Sequence, residues 1–99
     1  GFITEEQLLE FLSRHLRIPY RSLKNEKIDP ELLREITASI AKRHLVLPIR
    51  RKNGKIEMAM ANPLDLIAIE DVEIITGRKV EPVVSTFSDI IAAIERTYR

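Results

Sequence analysis

Apolar residues recur at helical spacing in four stretches of this 99-residue chain, with shorter β-branched runs between them. Positions three and four residues apart fall on one face of a helix. In the first stretch this face consists of Leu8, Phe11, Leu12 and Leu16. Thr4 and Gln7 form a capping box before it, in which each side chain binds the other's backbone N–H. Pro19 ends this predicted helix near Arg17.

A second helix is predicted from Asp29 to about His44. Asp29 suits the N-cap, and Pro30 suits the first helical position because the N–H that proline lacks would have no partner there. The apolar face of this helix consists of Leu33, Ile36, Ile40 and Ala41. Between the two helices, residues 20–23 are predicted to form a short strand.

Residues 45–60 are predicted to form a β-hairpin that turns at Asn53-Gly54, because both residues tolerate a positive φ. Pairing Lys52 with Lys55 sets the register. This register places Ile49 opposite Met58, Leu47 opposite Met60, and Arg50 opposite Glu57. The last pair brings opposite charges together, so a single register suits both faces of the hairpin.

Pro48 is the awkward residue of this hairpin, since proline cannot donate to a strand ladder. The strand of residues 45–51 is therefore predicted to lie at an edge of the sheet or to be bulged at Pro48. The strand of residues 55–61 is then the central one, and its small Ala59 allows a helix to approach closely.

The last third of the chain predicts a helix, a strand and a helix. The first of these helices begins at Asn62-Pro63 and ends before Gly77, which suits the positive φ at a helix C-terminus. Its buried face is predicted to consist of Leu66, Ile67, Ile69, Val72 and Ile75. Residues 80–84 form the strand. Thr86 caps the final helix, whose apolar stripe consists of Ile90, Ile91, Ile94 and Tyr98.

This order of elements predicts an α/β (α+β) fold. A small three-stranded mixed sheet combines the antiparallel hairpin with one strand from a β-α-β crossover. About three helices pack on this sheet, and an N-terminal helix precedes them. Residues 1–24 are predicted to be the C-terminal part of an upstream helical lobe, and residues 25–99 a compact α/β domain.

Composition adds limits to this picture. The 16 Lys and Arg residues nearly balance the 15 Asp and Glu residues, which argues against a nucleic-acid partner. The absence of cysteine excludes disulfides and thiolate metal sites. No apolar run reaches the ~20 residues of a membrane span, so no direct membrane insertion is expected.

The chain also lacks the usual arrangements of catalytic residues. Its three glycines do not have the spacing of a phosphate-binding loop or of a dinucleotide fingerprint. His15 and His44 stand far apart and have no companion ligands at metal-site spacing. We therefore expect no catalytic residue, no metal site and no cofactor.

Charge is segregated along the sequence. Residues 42–55 hold six cations and no acid, and residues 56–77 hold five acids and no cation. Solvated faces explain this pattern most simply. An electrostatically steered docking surface is the alternative. A nucleic-acid site on the basic stretch is the weakest interpretation, since no aromatic residue stands beside it to stack on bases.

Three segments resemble a known family. Residues 45–49 (LVLPI), 58–65 (MAMANPLD) and 76–84 (TGRKVEPVV) are similar to the N-terminal domain of type II secretion and type IV pilus assembly ATPases. The resemblance implies a non-catalytic docking and regulatory domain in the cytoplasm. Its partners would be the cytoplasmic part of an inner-membrane platform protein, which holds it peripherally at that membrane, and a downstream motor domain of the same chain. Related domains also precede some membrane glycosyltransferases.

A second resemblance concerns cyclic di-GMP, which some members of this family bind through two tandem motifs. Gly1, Ile3, Leu8 and Leu12 match the latter half of one such motif. His15 stands where the motif has Gln, and the Arg-Leu-Gly half is missing. An amphipathic helix alone explains these leucines, and cyclic di-GMP sensing stays an alternative function.

Overall fold

The computed structural model describes residues 4–24 and 26–98, in which five helices and three strands follow one another. The helices are α1 Glu5–Leu16, α2 Leu32–Glu35, α3 Ala38–His44, α4 Leu66–Thr76 and α5 Phe87–Thr97. The strands are β1 Val46–Lys52, β2 Lys55–Met60 and β3 Val80–Val84.

The strands form one mixed sheet in the order β1-β2-β3. β1 is antiparallel to β2, and β3 is parallel to it. The predicted fold class is thus confirmed, with β2 in the middle and β1 at an edge. Parallel neighbours need a crossover connection, and α4 lies within the one that joins β2 to β3.

The hairpin turn forms as predicted. Asn53 has a φ of 53° and Gly54 a φ of 77°, the positive values that a two-residue turn requires. The predicted pairs of Lys52 with Lys55 and of Arg50 with Glu57 are confirmed.

The predicted register is wrong beyond Arg50. Ile49 does not face Met58, and Leu47 does not face Met60. The observed partners are Pro48 with Met58, Leu47 with Ala59, and Val46 with Met60. A β-bulge between Pro48 and Arg50 leaves Ile49 without a partner on β2. Proline cannot donate to the ladder. The strand is bulged next to Pro48 and also lies at the sheet edge, so both outcomes predicted from Pro48 occur.

The bulge places Leu47 and Ile49 on a different face from Met58 and Met60, and two apolar cores result. The core on the α5 side consists of Leu23, Ala41, Leu47, Ile49, Ala59, Val83, Ile90, Ala93 and Ile94. The core on the α4 side consists of Leu32, Ile36, Val46, Ile56, Met58, Met60, Ala68 and Val72. Ala59 lies among the α5 residues, as its small size predicted.

The single helix predicted between Asp29 and His44 is wrong, because the chain breaks into α2 and α3. Ile36 leaves the helical region with φ −105° and ψ 94°. Leu32 and Ile36 pack in the core on the α4 side, whereas Ala41 packs in the core on the α5 side. One straight helix could not reach both faces of the sheet, so the chain bends around the β1 edge.

Both helices that were predicted to start at a proline begin later. Asp29 and Asn62 instead stabilise turns, accepting hydrogen bonds from the N–H of Glu31 (3.0 Å) and of Leu64 (3.1 Å). α4 starts after Asp65, whose carboxylate accepts a 3.2 Å hydrogen bond from the Ala68 N–H. When an Asp or Asn side chain accepts a hydrogen bond from the N–H two residues later, it stabilises a local turn instead of capping a helix.

Three other helix ends are as predicted. Thr4 and Gln7 form the reciprocal capping box at 3.0 and 3.1 Å. The Thr86 hydroxyl accepts a 3.0 Å hydrogen bond from the Asp89 N–H. Gly77 ends α4 with a φ of 69°. Local sequence determines these ends because each partner lies within four residues.

The strand predicted at residues 20–23 is reduced to a single parallel bridge between Tyr20 and Val84. The Val84 N–H donates to the Pro19 carbonyl at 2.7 Å, and the Arg21 N–H donates to the Val84 carbonyl at 2.8 Å. These bonds attach the segment after α1 to the end of β3.

Candidate docking surface

The outward face of α4 is apolar and uncovered by any other part of the described chain. Leu66, Ile67 and Ile74 are 66, 69 and 79% exposed. Leu66 and Ile67 were predicted to be buried, as was Ile75, which is also exposed, and these predictions are wrong. We call the surface formed by Leu66, Ile67, Glu70 and Ile74 the α4 ridge.

The buried face of α4 instead carries Ala68 and Val72, one turn apart. α4 is apolar nearly all round, so hydrophobic periodicity could not select the face that meets the sheet. The small side chain of Ala68 lets the helix approach Met58 and Met60 closely, since all three belong to one core. The signal available in the sequence was the i, i+4 pair of small residues rather than the larger isoleucines.

Glu70 is the one acid of α4 whose carboxylate has no partner among the described residues. The other two are engaged: the Asp71 carboxylate lies 3.0 Å from Nε2 of His44, and Glu73 accepts a 3.0 Å hydrogen bond from the Val80 N–H. Glu70 is exposed and stands between Ile67 and Ile74 on the ridge. The ridge therefore combines apolar area with a negative charge that nothing in the described chain neutralises.

The free edge of β3 offers no unpaired N–H to an added strand. Outward N–H groups belong to every second residue, here Val80, Pro82 and Val84. The Val80 N–H donates to the Glu73 carboxylate, and the Val84 N–H donates to the Pro19 carbonyl. Pro82 has no N–H. Strand addition therefore finds no donor on this edge of the sheet.

Three of the six cations of the basic stretch are paired with acids in the fold. Arg50 lies 3.4 Å from Glu57, Lys55 lies 3.5 Å from Glu81, and Arg51 pairs with Glu31 and Asp29. The pKa of Arg51 is raised, mainly by its hydrogen bond to Glu31 and next by the negative charge of that carboxylate. The hairpin therefore fits the interpretation of solvated faces with local ion pairs better than that of a free basic patch.

A buried carboxylate holds the segment after α1 against the sheet. Glu57 on β2 is 5% exposed, and Arg21 donates a hydrogen bond to it. The Ser85 hydroxyl also donates to the Arg21 carbonyl at 2.7 Å. A crevice of about 300 Å³ lies beside Glu57. Its lining combines apolar residues of β3 and of positions 18–19 with Arg17, Lys52, Glu57 and Glu81. Its charges are mixed, so it favours no single class of ligand.

Three apolar residues of α1 are also exposed. Leu8, Phe11 and Leu16 are on the surface, and the rings of Phe11 and His15 lie 4.3 Å apart. Of the residues that resemble half a cyclic di-GMP motif, Gly1 and Ile3 lie outside the described residues, as does the side chain of Leu12. Leu8 points to solvent, and nothing in the described chain brings it to a ligand site.

The two histidines have different partners: His15 contacts Phe11, and His44 pairs with Asp71. The described residues contain no group of His, Asp and Glu that could hold a metal ion. Among the helices of the described ranges, none has the length and apolar character needed to cross a bilayer.

Residues 16–99 match the MshEN domain family. The chain belongs to this family, the N-terminal domain of type II secretion and type IV pilus ATPases. This match confirms the family resemblance seen in the segments LVLPI, MAMANPLD and TGRKVEPVV. The match covers β1 to β3 and α2 to α5, so it includes the α4 ridge.

Two solved structures share the fold of this MshEN domain. The structure of MshE with cdg has a TM-score of 0.86 and 28% identity, covering 99% of this chain and 71% of that one. The N-terminal domain of XpsE has a TM-score of 0.83 and 26% identity, covering 97% of this chain and 68% of that one.

Among curated proteins, the type IV pilus assembly ATPase PilB of Myxococcus xanthus is 34% identical over 98 residues, and PilB of Thermus thermophilus is 29% identical over 100. The chain spans only 17% and 11% of their lengths. Bacteriophage adsorption protein B of Escherichia coli is 26% identical over 98 residues, 13% of its length. A similar segment therefore also occurs in a protein that is not named as an ATPase.

Proposed function

We propose that this MshEN domain is the non-catalytic docking and regulatory domain of a type II secretion or type IV pilus assembly ATPase. It binds the cytoplasmic part of an inner-membrane platform protein. The α4 ridge carries this proposal, because an exposed apolar surface on a folded domain marks an interaction site. The relatives that are named as assembly ATPases supply the setting.

In this proposal the ATPase motor lies outside the 99 residues. Residues 1–24 complete an upstream helical lobe, and residues 25–99 form the docking unit. The domain works in the cytoplasm and reaches the inner membrane only through its protein partner. Binding tethers the motor near the membrane and adjusts its assembly there.

The test is direct binding of the chain to the purified cytoplasmic domain of the cognate platform protein, measured by pull-down and calorimetry. We expect a saturable complex of the two proteins. Substitution Ile67→Lys, which disturbs the ridge without touching either core, weakens it. Phe87→Lys is the matched control, since Phe87 is an exposed apolar residue on another helix. If the platform domain does not bind the chain, the proposal is wrong.

Cyclic di-GMP sensing is the second candidate, favoured by the similarity to MshE solved with cdg. The residues concerned are Gly1, Ile3, Leu8 and Leu12, with His15 in place of the motif's Gln. Calorimetric titration of the chain with cyclic di-GMP separates the two functions. The docking proposal predicts no heat of binding, and micromolar or tighter binding assigns the sensing role instead.

A further inference from the structure

We propose that the α4 ridge receives an amphipathic helix of the partner, and that a Lys or Arg on that helix lies opposite Glu70. The proposal deepens the docking function and rests on it for the source of the helix. The argument for the surface itself comes from the shape and charge of α4.

The shape of the ridge matches a helix. Leu66 and Ile74 stand eight residues apart, about 12 Å along the helix axis, and Ile67 and Glu70 fill the space between them. Such a row of side chains packs into the groove between side-chain rows of a second helix. A strand has no equivalent docking place at the β3 edge, where no N–H is free.

The charge of the ridge selects among the possible occupants. Glu70 is the charged residue of the ridge, and the other two charged residues of α4, Asp71 and Glu73, are acidic but already engaged. A ridge from a second copy would bring Glu70 against an equivalent carboxylate, and like charges across an interface are costly. An anionic lipid surface would repel the same face.

A basic, amphipathic helix avoids both penalties. Its apolar side chains cover Leu66, Ile67 and Ile74, and its cation meets the Glu70 carboxylate, which lacks a partner among the described residues. Because the surrounding isoleucines exclude water once the helix is seated, this pair is stronger than an ion pair on an open surface.

The probe is a pair of helical peptides with the same apolar stripe at positions i, i+3, i+4 and i+7, which differ only in one central residue, Lys or Glu. Fluorescence anisotropy measures their affinity for the chain. We expect the Lys peptide to bind about tenfold more tightly, the scale of one partly desolvated charge pair.

Three variants test the role of Glu70. Glu70→Lys reverses the preference between the peptides, and Glu70→Gln removes it. Ile74→Lys weakens both peptides, and the control Phe87→Lys changes neither. Equal binding of both peptides to the unmodified chain and to Glu70→Lys, or no binding at all, overturns the proposal. So does self-association of the chain that Ile74→Lys abolishes, because the occupant is then a second copy.

Two outcomes separate this proposal from the docking function. A platform domain that binds the chain but is indifferent to Glu70→Lys contradicts the helix-and-cation proposal and leaves the docking function standing. If the peptides bind with the expected charge dependence but the platform domain does not bind, the helix-and-cation proposal stands and the docking function is contradicted.

Discussion

The Tyr98 hydroxyl donates a 2.6 Å hydrogen bond to the Ile36 carbonyl, at the point where α2 gives way to α3. The break leaves backbone carbonyls without helical partners, and a side chain 62 positions later satisfies one of them. The end of α5 thus supports the bend that carries the chain around the β1 edge. Tyr98 was predicted only as an apolar stripe residue, and its polar role was not foreseen.

Removing this hydroxyl should destabilise the domain. We expect Tyr98→Phe to lower the free energy of unfolding by about 1 kcal/mol, because it leaves the Ile36 carbonyl without this donor and keeps the ring. Urea denaturation followed by circular dichroism measures the change. A variant as stable as the unmodified chain would show that water replaces the hydroxyl.

The same residue gives a pH prediction. Burial raises the pKa of Tyr98 from 10.0 to about 12. The unfolded chain therefore releases this proton at lower pH than the folded chain, and stability should fall as pH rises from about 10 to about 12. Tyr98→Phe should lack this part of the loss. Identical alkaline profiles for the two proteins would contradict the assignment.

Glu57 and its two arginines allow a matched comparison on one carboxylate. Arg21→Ala should cost about 1–3 kcal/mol of stability, since it removes the hydrogen bond to a buried charge. Arg50→Ala should cost less than about 1 kcal/mol, since its side chain is 50% exposed and lies 3.4 Å away. Thermal melts of both variants test the order. Equal losses would mean that the segment after α1 is not held by Arg21.

Substitutions at two residues of α4 distinguish its buried face from the α4 ridge. Val72→Ala should cost about 1–3 kcal/mol, because Val72 is fully buried. Ile74→Ala should change stability by less than about 0.5 kcal/mol, because Ile74 is 79% exposed. Denaturant titration of the pair is the measurement. A larger loss for Ile74→Ala would mean that the ridge packs against something within this chain.

Gly77 provides a test of backbone strain alone. Its φ of 69° disfavours a side chain, although a Cβ there would contact nothing. We expect Gly77→Ala to cost about 1 kcal/mol and Gly77→Asn to cost less, since asparagine tolerates this region. Melting temperatures rank the variants. An alanine variant as stable as the asparagine variant would indicate that α4 can end another way.

What the sequence predicted correctly is local or strongly patterned. The Asn53-Gly54 turn, the Thr86 cap and the strand at residues 80–84 depend on residues that are neighbours in the chain. The bend at Ile36 depends on which face of a distant sheet each helix meets. The exposed side of α4 could not be selected either, because Ile67 and Val72 look alike in hydrophobicity and only tertiary packing separates them.

The charge pattern shows the same limit. The sequence correctly placed Arg50 opposite Glu57, a pair set by the hairpin. The partners of Arg51 and Lys55 come from residues 29–31 and from β3, so these two cations are paired only once the chain has folded. Within α4, Glu70 is recognised as the unpartnered acid only after the partners of Asp71 and Glu73 are known.

The central proposal is that this MshEN domain docks a parent assembly ATPase at the membrane. The most direct measurement is the fraction of the parent ATPase found in the membrane pellet with and without residues 1–99, with the platform protein present in both cases. The account predicts that the shortened protein moves to the soluble fraction. Recruitment that is unchanged by the deletion would contradict it.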